Sequence, residues 1–172
     1  MNERPDRLHR SDRPPIERRA ARLLLVDDAD RILLFDGFDP HEPAAGRWWF
    51  TPGGGVEGDE TIADAAHREL AEETGLRVGS VGPVVWRRTA EFTFEGTRYR
   101  QQEWFHLVRC DRLDVDISGF DAAERRSISG HRWWSVAELA ASPDVVYPED
   151  LAARLSDLLV GGRPPIPLDL DG

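Results

Sequence analysis

Apolar residues come in short runs separated by turn chemistry. Arg22-Leu23-Leu24-Leu25-Val26 is one such run, Asp27-Asp28-Ala29-Asp30 interrupts it, and Arg31-Ile32-Leu33-Leu34-Phe35 resumes it. Two apolar runs of strand length joined by aspartates predict a β-hairpin. Trp48-Trp49-Phe50-Thr51 predicts a further strand, stopped by Pro52-Gly53-Gly54-Gly55. Consecutive glycines permit dihedrals closed to other residues and let a ligand approach the backbone. The pattern then predicts a helix from about Thr61 to Thr74, with Thr61 and Asp64 as a capping pair and Gly75 as a left-handed C-cap. Strands are expected over 81–94 and 99–109 around a turn at Glu95-Gly96, and another at Trp133-Trp134. Helices are expected from Ser135 and over 149–159. Strands and helices mix without a regular βαβ rhythm and without repeats, which predicts an α/β or α+β sandwich.

Length and composition set bounds on this picture. The 172 residues fit one domain. Residues 1–18 are polar and rich in Arg and Pro, residues 161–172 are rich in Pro, and both are expected to be tails around a domain at 19–160. A net charge of −10 should repel nucleic-acid phosphates, so a nucleic-acid polymer is not the expected partner. A polyphosphate substrate would need a metal or a local basic patch to be held. The single cysteine, Cys110, forms no intrachain disulfide and reads as a packed thiol, which fits a reducing cytosol and a cytoplasmic location. No apolar run has the length of a membrane span, and no secretory signal is expected.

The helix over 61–74 carries candidate chemistry. Ile62, Ala66 and Leu70 fall on one face, yet Glu69 and Glu73 project within that sector and Glu72 borders it. An amphipathic helix ordinarily keeps carboxylates off its buried stripe, and acids at this spacing repel each other. A hard divalent cation resolves the conflict, since Mg²⁺ and Mn²⁺ take oxygen ligands. The plainer alternative is a solvated acidic face. The Gly-rich loop just before the helix, with Arg68 beside Glu69 and Glu60 within reach of Arg68, weighs against it.

The segment reads Gly54, five residues, Glu60, seven residues, Arg68-Glu69-Leu70, one residue, Glu72-Glu73, one residue, Gly75-Leu76. It resembles the Nudix box of the MutT-like hydrolases at every defined position. Its fixed identities would coincide by chance at roughly 10⁻⁸ to 10⁻⁹ per start position. The resemblance implies the Nudix fold, a mixed β-sheet sandwiched between helices with the box as loop–helix–loop. It implies Mg²⁺ or Mn²⁺ bound by Glu69, Glu72 and Glu73, with Glu60 and Arg68 bracing them and Gly53, Gly54 and Gly55 shaping the loop. Glu57 in that loop is a further metal candidate. The implied reaction is attack of a metal-activated water on phosphorus in a nucleoside diphosphate linked to another group. A homodimer is common on this fold.

The general base is open between a box glutamate and two outside acids. Glu103 stands in a strand of mixed pattern, and Glu124 lies in a polar loop ahead of Trp133, where similar enzymes often carry a further catalytic or metal-binding Glu. Arg88 and Arg100, in an arginine-rich hairpin with Arg87 and Arg98, are candidates for holding phosphates; the alternative is exposed strand arginines. Most of the six tryptophans are expected in the core, with a nucleobase-stacking role open for one of them. His41, His67, His106 and His131 show no metal-ligand spacing. A binding module without turnover and an isomerase on the same fold compete with the hydrolase, and the intact acids favour the hydrolase. The proline of ADP-ribose enzymes and the tyrosine of dinucleoside-polyphosphate enzymes are not evident downstream of the box; Phe92 and Phe94 stand where the tyrosine would fall. The coenzyme A and NADH signatures are absent as well.

Overall fold

Strand β1 (Ile16–Val26) is the spine of the molecule because from Ala20 onward both of its faces are largely buried. The structure, a computed structural model, describes residues 14–111 and 114–170. Most of the tail expected over 1–18, and the last two residues of the chain, lie outside that range. On one face of β1, Ala21, Leu23 and Leu25 pack with Leu33 and with Ala65, Ala66 and Leu70 of α1 (Ile62–Thr74). On the other, Leu24 and Val26 pack with Trp86, Phe105 and Trp134 and with Leu151, Leu155 and Leu158 of a C-terminal helix. Burial on two faces explains why the run reads as continuously apolar rather than alternating.

The expected hairpin is a tight corner more than a ribbon. Asp27 accepts the N–H groups of Ala29 (3.0 Å) and Arg31 (2.8 Å) and turns the chain into β2 (Ile32–Phe38). The two strands are in register at Val26 and Ile32, and the long partner of β1 is instead the parallel strand β5 (Thr97–Arg109), from Ile16 beside Tyr99 to Val26 beside Arg109. Strands β3 (Arg47–Phe50), β4 (Val84–Phe94), β6 (Ile128–Trp134), β7 (Val145–Tyr147) and β8 (Leu168–Asp169) complete a mixed sheet. Its order is β7-β3-β2-β1-β5-β4-β8, with β6 also on β2. Two boundaries differ from the sequence reading. The first strand opens at Ile16, inside the expected tail, because its charged start pairs with β5; Leu168 and Asp169, in the expected C-terminal tail, add parallel to β4.

Helix α1 begins where the capping pair predicts. Thr61 accepts from the Asp64 N–H, Asp64 answers to the Thr61 N–H, and Gly75 closes the helix at φ 74°. The same device starts α3 (Val136–Ala141), with Ser135 and Glu138 as the pair. Between them α2 (Glu124–Ser127) is a single turn, and α4 (Leu151–Gly161) lays Leu151, Leu155 and Leu158 on the core. Among the described residues no helix is long and apolar enough to cross a membrane. Cys110 is half-buried, and burial with Asp27 nearby pushes its thiol up to about 11, so it is a poor nucleophile.

Buried His106 on β5 holds the Gly82 carbonyl through Nδ1 (2.9 Å), while its buried Nε2 has no hydrogen-bond partner among the described residues. Burial lowers its pKa; the bond to Gly82 opposes this and the charge of His67 adds to it. The unfolded chain therefore takes up the proton first. The stabilisation is complete above the ordinary imidazole pKa of about 6.5 and is lost as pH falls below it. Denaturant unfolding at about pH 7.5 and about pH 5.5 is expected to cost wild type more stability than His106→Gln over the same interval. Equal losses would show that His106 does not titrate in folding.

Candidate active site

Where β2 turns away from β1, residues 52–56 take its place along the strand. Leu23 N donates to Pro52 O, Ala21 N to Gly54 O and Val56 N to Arg19 O, each at 2.9 Å. This seats the glycine loop against α1. At Gly53 the backbone has φ +121°, and a Cβ there would stand 2.2 Å from the Ala21 carbonyl oxygen; at Gly54 a Cβ would stand 2.3 Å from Glu69 Oε1. Only glycine allows the loop this close to the acids.

Arg68 organises the box. Its guanidinium meets Glu60 Oε1 (2.7 Å), Glu69 Oε1 (2.7 Å), Glu72 Oε2 (3.2 Å) and the Gly55 carbonyl (2.8 Å). Glu60 in turn accepts the Glu57 N–H at 2.7 Å, which ties loop to helix. Glu73, 2% exposed, accepts the Gly53 N–H through Oε2 at 2.5 Å.

A third carboxylate arrives from far along the chain. Asp116 N donates to the Thr74 carbonyl at 3.1 Å, Gly119 lies against the Glu72 backbone, and Phe120 packs edge-on against Phe35 at 5.5 Å. These contacts fasten the segment to the end of α1 and deliver Glu124, steadied by the Asp121 N–H at 2.6 Å. Glu69, Glu73 and Glu124 each offer an oxygen within 4.8 Å of the others. Burial first, then the charges of Glu69 and Glu124, pushes the Glu73 carboxyl well above its ordinary pKa. Burial also raises Glu69 against the pull of Arg68, and Glu124 against its bond from Asp121. Two buried acids and one half-buried acid, all with raised pKa values, fit a hard divalent cation, which supplies the charge the protein leaves out.

The other predicted residues fall in distinct places. Glu72 lies outside that trio, its half-exposed side chain turned to Arg68. Glu57 is exposed and 3.9 Å from Arg68. Glu103 is 2% exposed and engaged on all sides: Arg22 Nε reaches Oε1 at 2.9 Å, Gln101 Nε2 donates to Oε1 at 2.8 Å, and Arg88 Nε donates to Oε2 at 2.8 Å. Arg22 and Arg88 hold its carboxyl below the usual range despite burial, so it is a poor proton acceptor. Arg88 is thus occupied by Glu103, and exposed Arg100 pairs loosely with Glu17 (3.4 Å) and Glu91 (3.5 Å). Trp49 and Trp134 pack edge-on in the core at 5.0 Å.

Arg22 was absent from the expected site. It spans from Glu103 to the Gly53 carbonyl (2.8 Å), whose own N–H is the one given to Glu73. Its signal was the alternation of β1: Arg22 shares a face with the core residues Leu24 and Val26, where a charge needs a partner.

The family model described as NUDIX domain matches residues 16–155. The chain belongs to the Nudix family. It is a hydrolase that uses a divalent metal to cut a phosphoanhydride bond in a nucleoside diphosphate linked to another moiety. A curated relative, the RNA pyrophosphohydrolase of Novosphingobium aromaticivorans, is 29% identical over 138 residues, covering 73% of this chain and 80% of the relative. The crystal structure of the MutT protein from Methanosarcina mazei Go1 is similar in fold at TM-score 0.65 and 20% identity, over 83% of this chain and 94% of that one. A C. elegans Ap4A hydrolase is similar at TM-score 0.57 and 20% identity, over 84% of this chain and 98% of that one.

Proposed function

We propose that this Nudix hydrolase works with Mg²⁺, which Mn²⁺ can replace, and that Glu69, Glu73 and Glu124 are the carboxylates that hold it. The observation that carries this reading is the meeting of those three side chains within 4.8 Å beside the glycine loop. When bound, the cation would supply charge neutralisation for the phosphates and a more acidic water. The chain's own groups do the rest. Arg68 fixes Glu69 and Glu72, and Glu60 fixes Arg68. The Gly53 N–H locks one oxygen of Glu73 and leaves the other for a ligand. Gly53, Gly54 and Gly55 keep the loop low enough for a diphosphate to reach the acids. With Glu103 bound by two arginines, proton removal from the attacking water falls to an acid of the cluster, and Glu124, the least buried of the three, is the one we assign to it. Glu57 is at the rim, available to a water-bridged ligand. Cytoplasmic location is supported by the free Cys110 thiol. A homodimer rests on the habit of the fold and is read by sedimentation.

The substrate is a small nucleotide rather than a polymer, in keeping with the net charge of −10. A panel of ADP-ribose, ordinary and oxidised dNTPs, diadenosine polyphosphates and nucleotide sugars, each with Mg²⁺ and Mn²⁺, tests this. A 5′-triphosphate RNA belongs in the panel because of the relative's name. Release of phosphate or a nucleoside phosphate from one small nucleotide is expected. Nucleotide binding without turnover of any would make the chain a binding module instead, and preference for the RNA would overturn the polymer exclusion.

A further inference from the structure

Most cations around the acidic cluster are committed. Arg68 is shared among Glu60, Glu69 and Glu72, and Arg22 and Arg88 both serve Glu103. A diphosphate needs donors that remain free, since each of its phosphates carries charge beyond what one cation offsets.

Arg18 is such a donor. It lies on β1 in the same alternating register as Arg22, opposite Gln101 of β5. It is exposed, and no carboxylate lies within ion-pair distance of it among the described residues. Its Cζ sits over the Tyr99 ring at 5.7 Å from the centroid. Tyr99 is backed by Phe92 across the β4–β5 pair, stacked at 5.5 Å with 30° between the rings. On the other side the guanidinium touches the glycine loop: a Cβ on Gly55 would meet Arg18 Nε at 2.7 Å. Burial of the guanidinium between its neighbours, then the charge of Arg22, lowers its pKa, and Tyr99, Glu69 and Glu103 pull the other way. The arginine is therefore aimed by an aromatic ledge on one side and the box loop on the other, near the acidic cluster, with its donors unspent among the described residues. A planar fork of this kind matches phosphate oxygens in pairs.

We propose that Arg18 is the residue that holds the substrate's non-reacting phosphate, and that Tyr99 positions it for that task. The proposal rests on the hydrolase reading above. It places recognition of the second phosphate on β1 and β5, outside the box. The glycine at position 55 is part of the device, because any side chain there would push the guanidinium off its ledge.

The test uses the full chain as wild type, Arg18→Gln, Arg18→Lys and Tyr99→Leu. Binding of inorganic pyrophosphate in Ca²⁺ is measured by calorimetry, and kcat and KM on the panel nucleotide that turns over fastest. Arg18→Gln is expected to weaken pyrophosphate and raise KM about 10-fold or more, with kcat, Tm and Mn²⁺ affinity in the absence of diphosphate little changed. Arg18→Lys should recover part of the loss and Tyr99→Leu should show a smaller loss of the same kind. Unchanged pyrophosphate affinity and KM in Arg18→Gln would overturn the proposal. So would a fall in Tm or Mn²⁺ affinity that accounts for the whole effect. If wild type turns over no nucleotide yet binds pyrophosphate through Arg18, the hydrolase reading fails and the phosphate site stands.

Discussion

Glu73→Gln is expected to lower kcat/KM by about 1000-fold or more, equivalent to about 4 kcal/mol of transition-state stabilisation, with no loss of Tm. Glu73 is the most buried acid of the trio, and its charge is useful only when a cation is bound. Burial and the charges of Glu69 and Glu124 already work against its ionised form. A glutamine of the same shape removes that repulsion and keeps a carbonyl oxygen for the Gly53 N–H, which now meets Glu73 at 2.5 Å. Folding should therefore be unharmed or slightly improved, while the cation loses an anionic ligand. Steady-state kinetics at saturating Mg²⁺ and thermal melting on the same sample decide it. Normal turnover would remove Glu73 from the metal site, and a collapse of Tm would make its role structural.

Arg68→Lys keeps a positive charge and should still cost about 10- to 100-fold in activity and in Mn²⁺ affinity. A guanidinium reaches Glu60, Glu69, Glu72 and the Gly55 carbonyl at once because its donors point in fixed, divergent directions. An ammonium has fewer donors around one centre and must abandon some of these partners. Glu69, buried against Gly54, would lose the contact that fixes its orientation. Stability should drop by about 1–3 kcal/mol, as expected for hydrogen bonds to partly buried charged groups. Activity within twofold of wild type would show that the acids are oriented without Arg68.

The local parts of the site were readable because their physics is local. Thr61, Asp64 and Gly75 announce the limits of α1, and the conflict between its apolar stripe and Glu69 and Glu73 announces a cation. Arg68 with Glu60 was likewise within reach, since both stand within a few turns of one helix. What remained hidden depends on pairing between distant segments. The charged start of β1 reads as tail until β5 is laid beside it. Arg88 reads as a phosphate ligand until Glu103 is found across the β4–β5 pair. Glu124 stood out only by family habit, because nothing in its neighbourhood tells that Gly119 and Phe120 will dock on α1 and Phe35. Arg22 is concealed because it opens an apolar run; its place in register with Leu24 is the clue.

Gly53 is gripped on both sides, its N–H by Glu73 and its carbonyl by Arg22, which itself stands on Glu103 beside Arg88. Substitutions at these positions therefore act as a set. Loss of Glu103 alone would leave the half-buried guanidinium groups of Arg22 and Arg88 without their shared carboxylate, and loss of Arg22 alone would leave Glu103 to Arg88 and Gln101 and release the Gly53 carbonyl. Exchanges at these positions are tolerated only in concert, and their effects on the loop will not sum. A variant in which Arg22, Arg88 and Glu103 are all replaced by apolar residues would have to secure Gly53 by other means, and in it the reach of the loop toward its ligands would be uncoupled from this buried charge network.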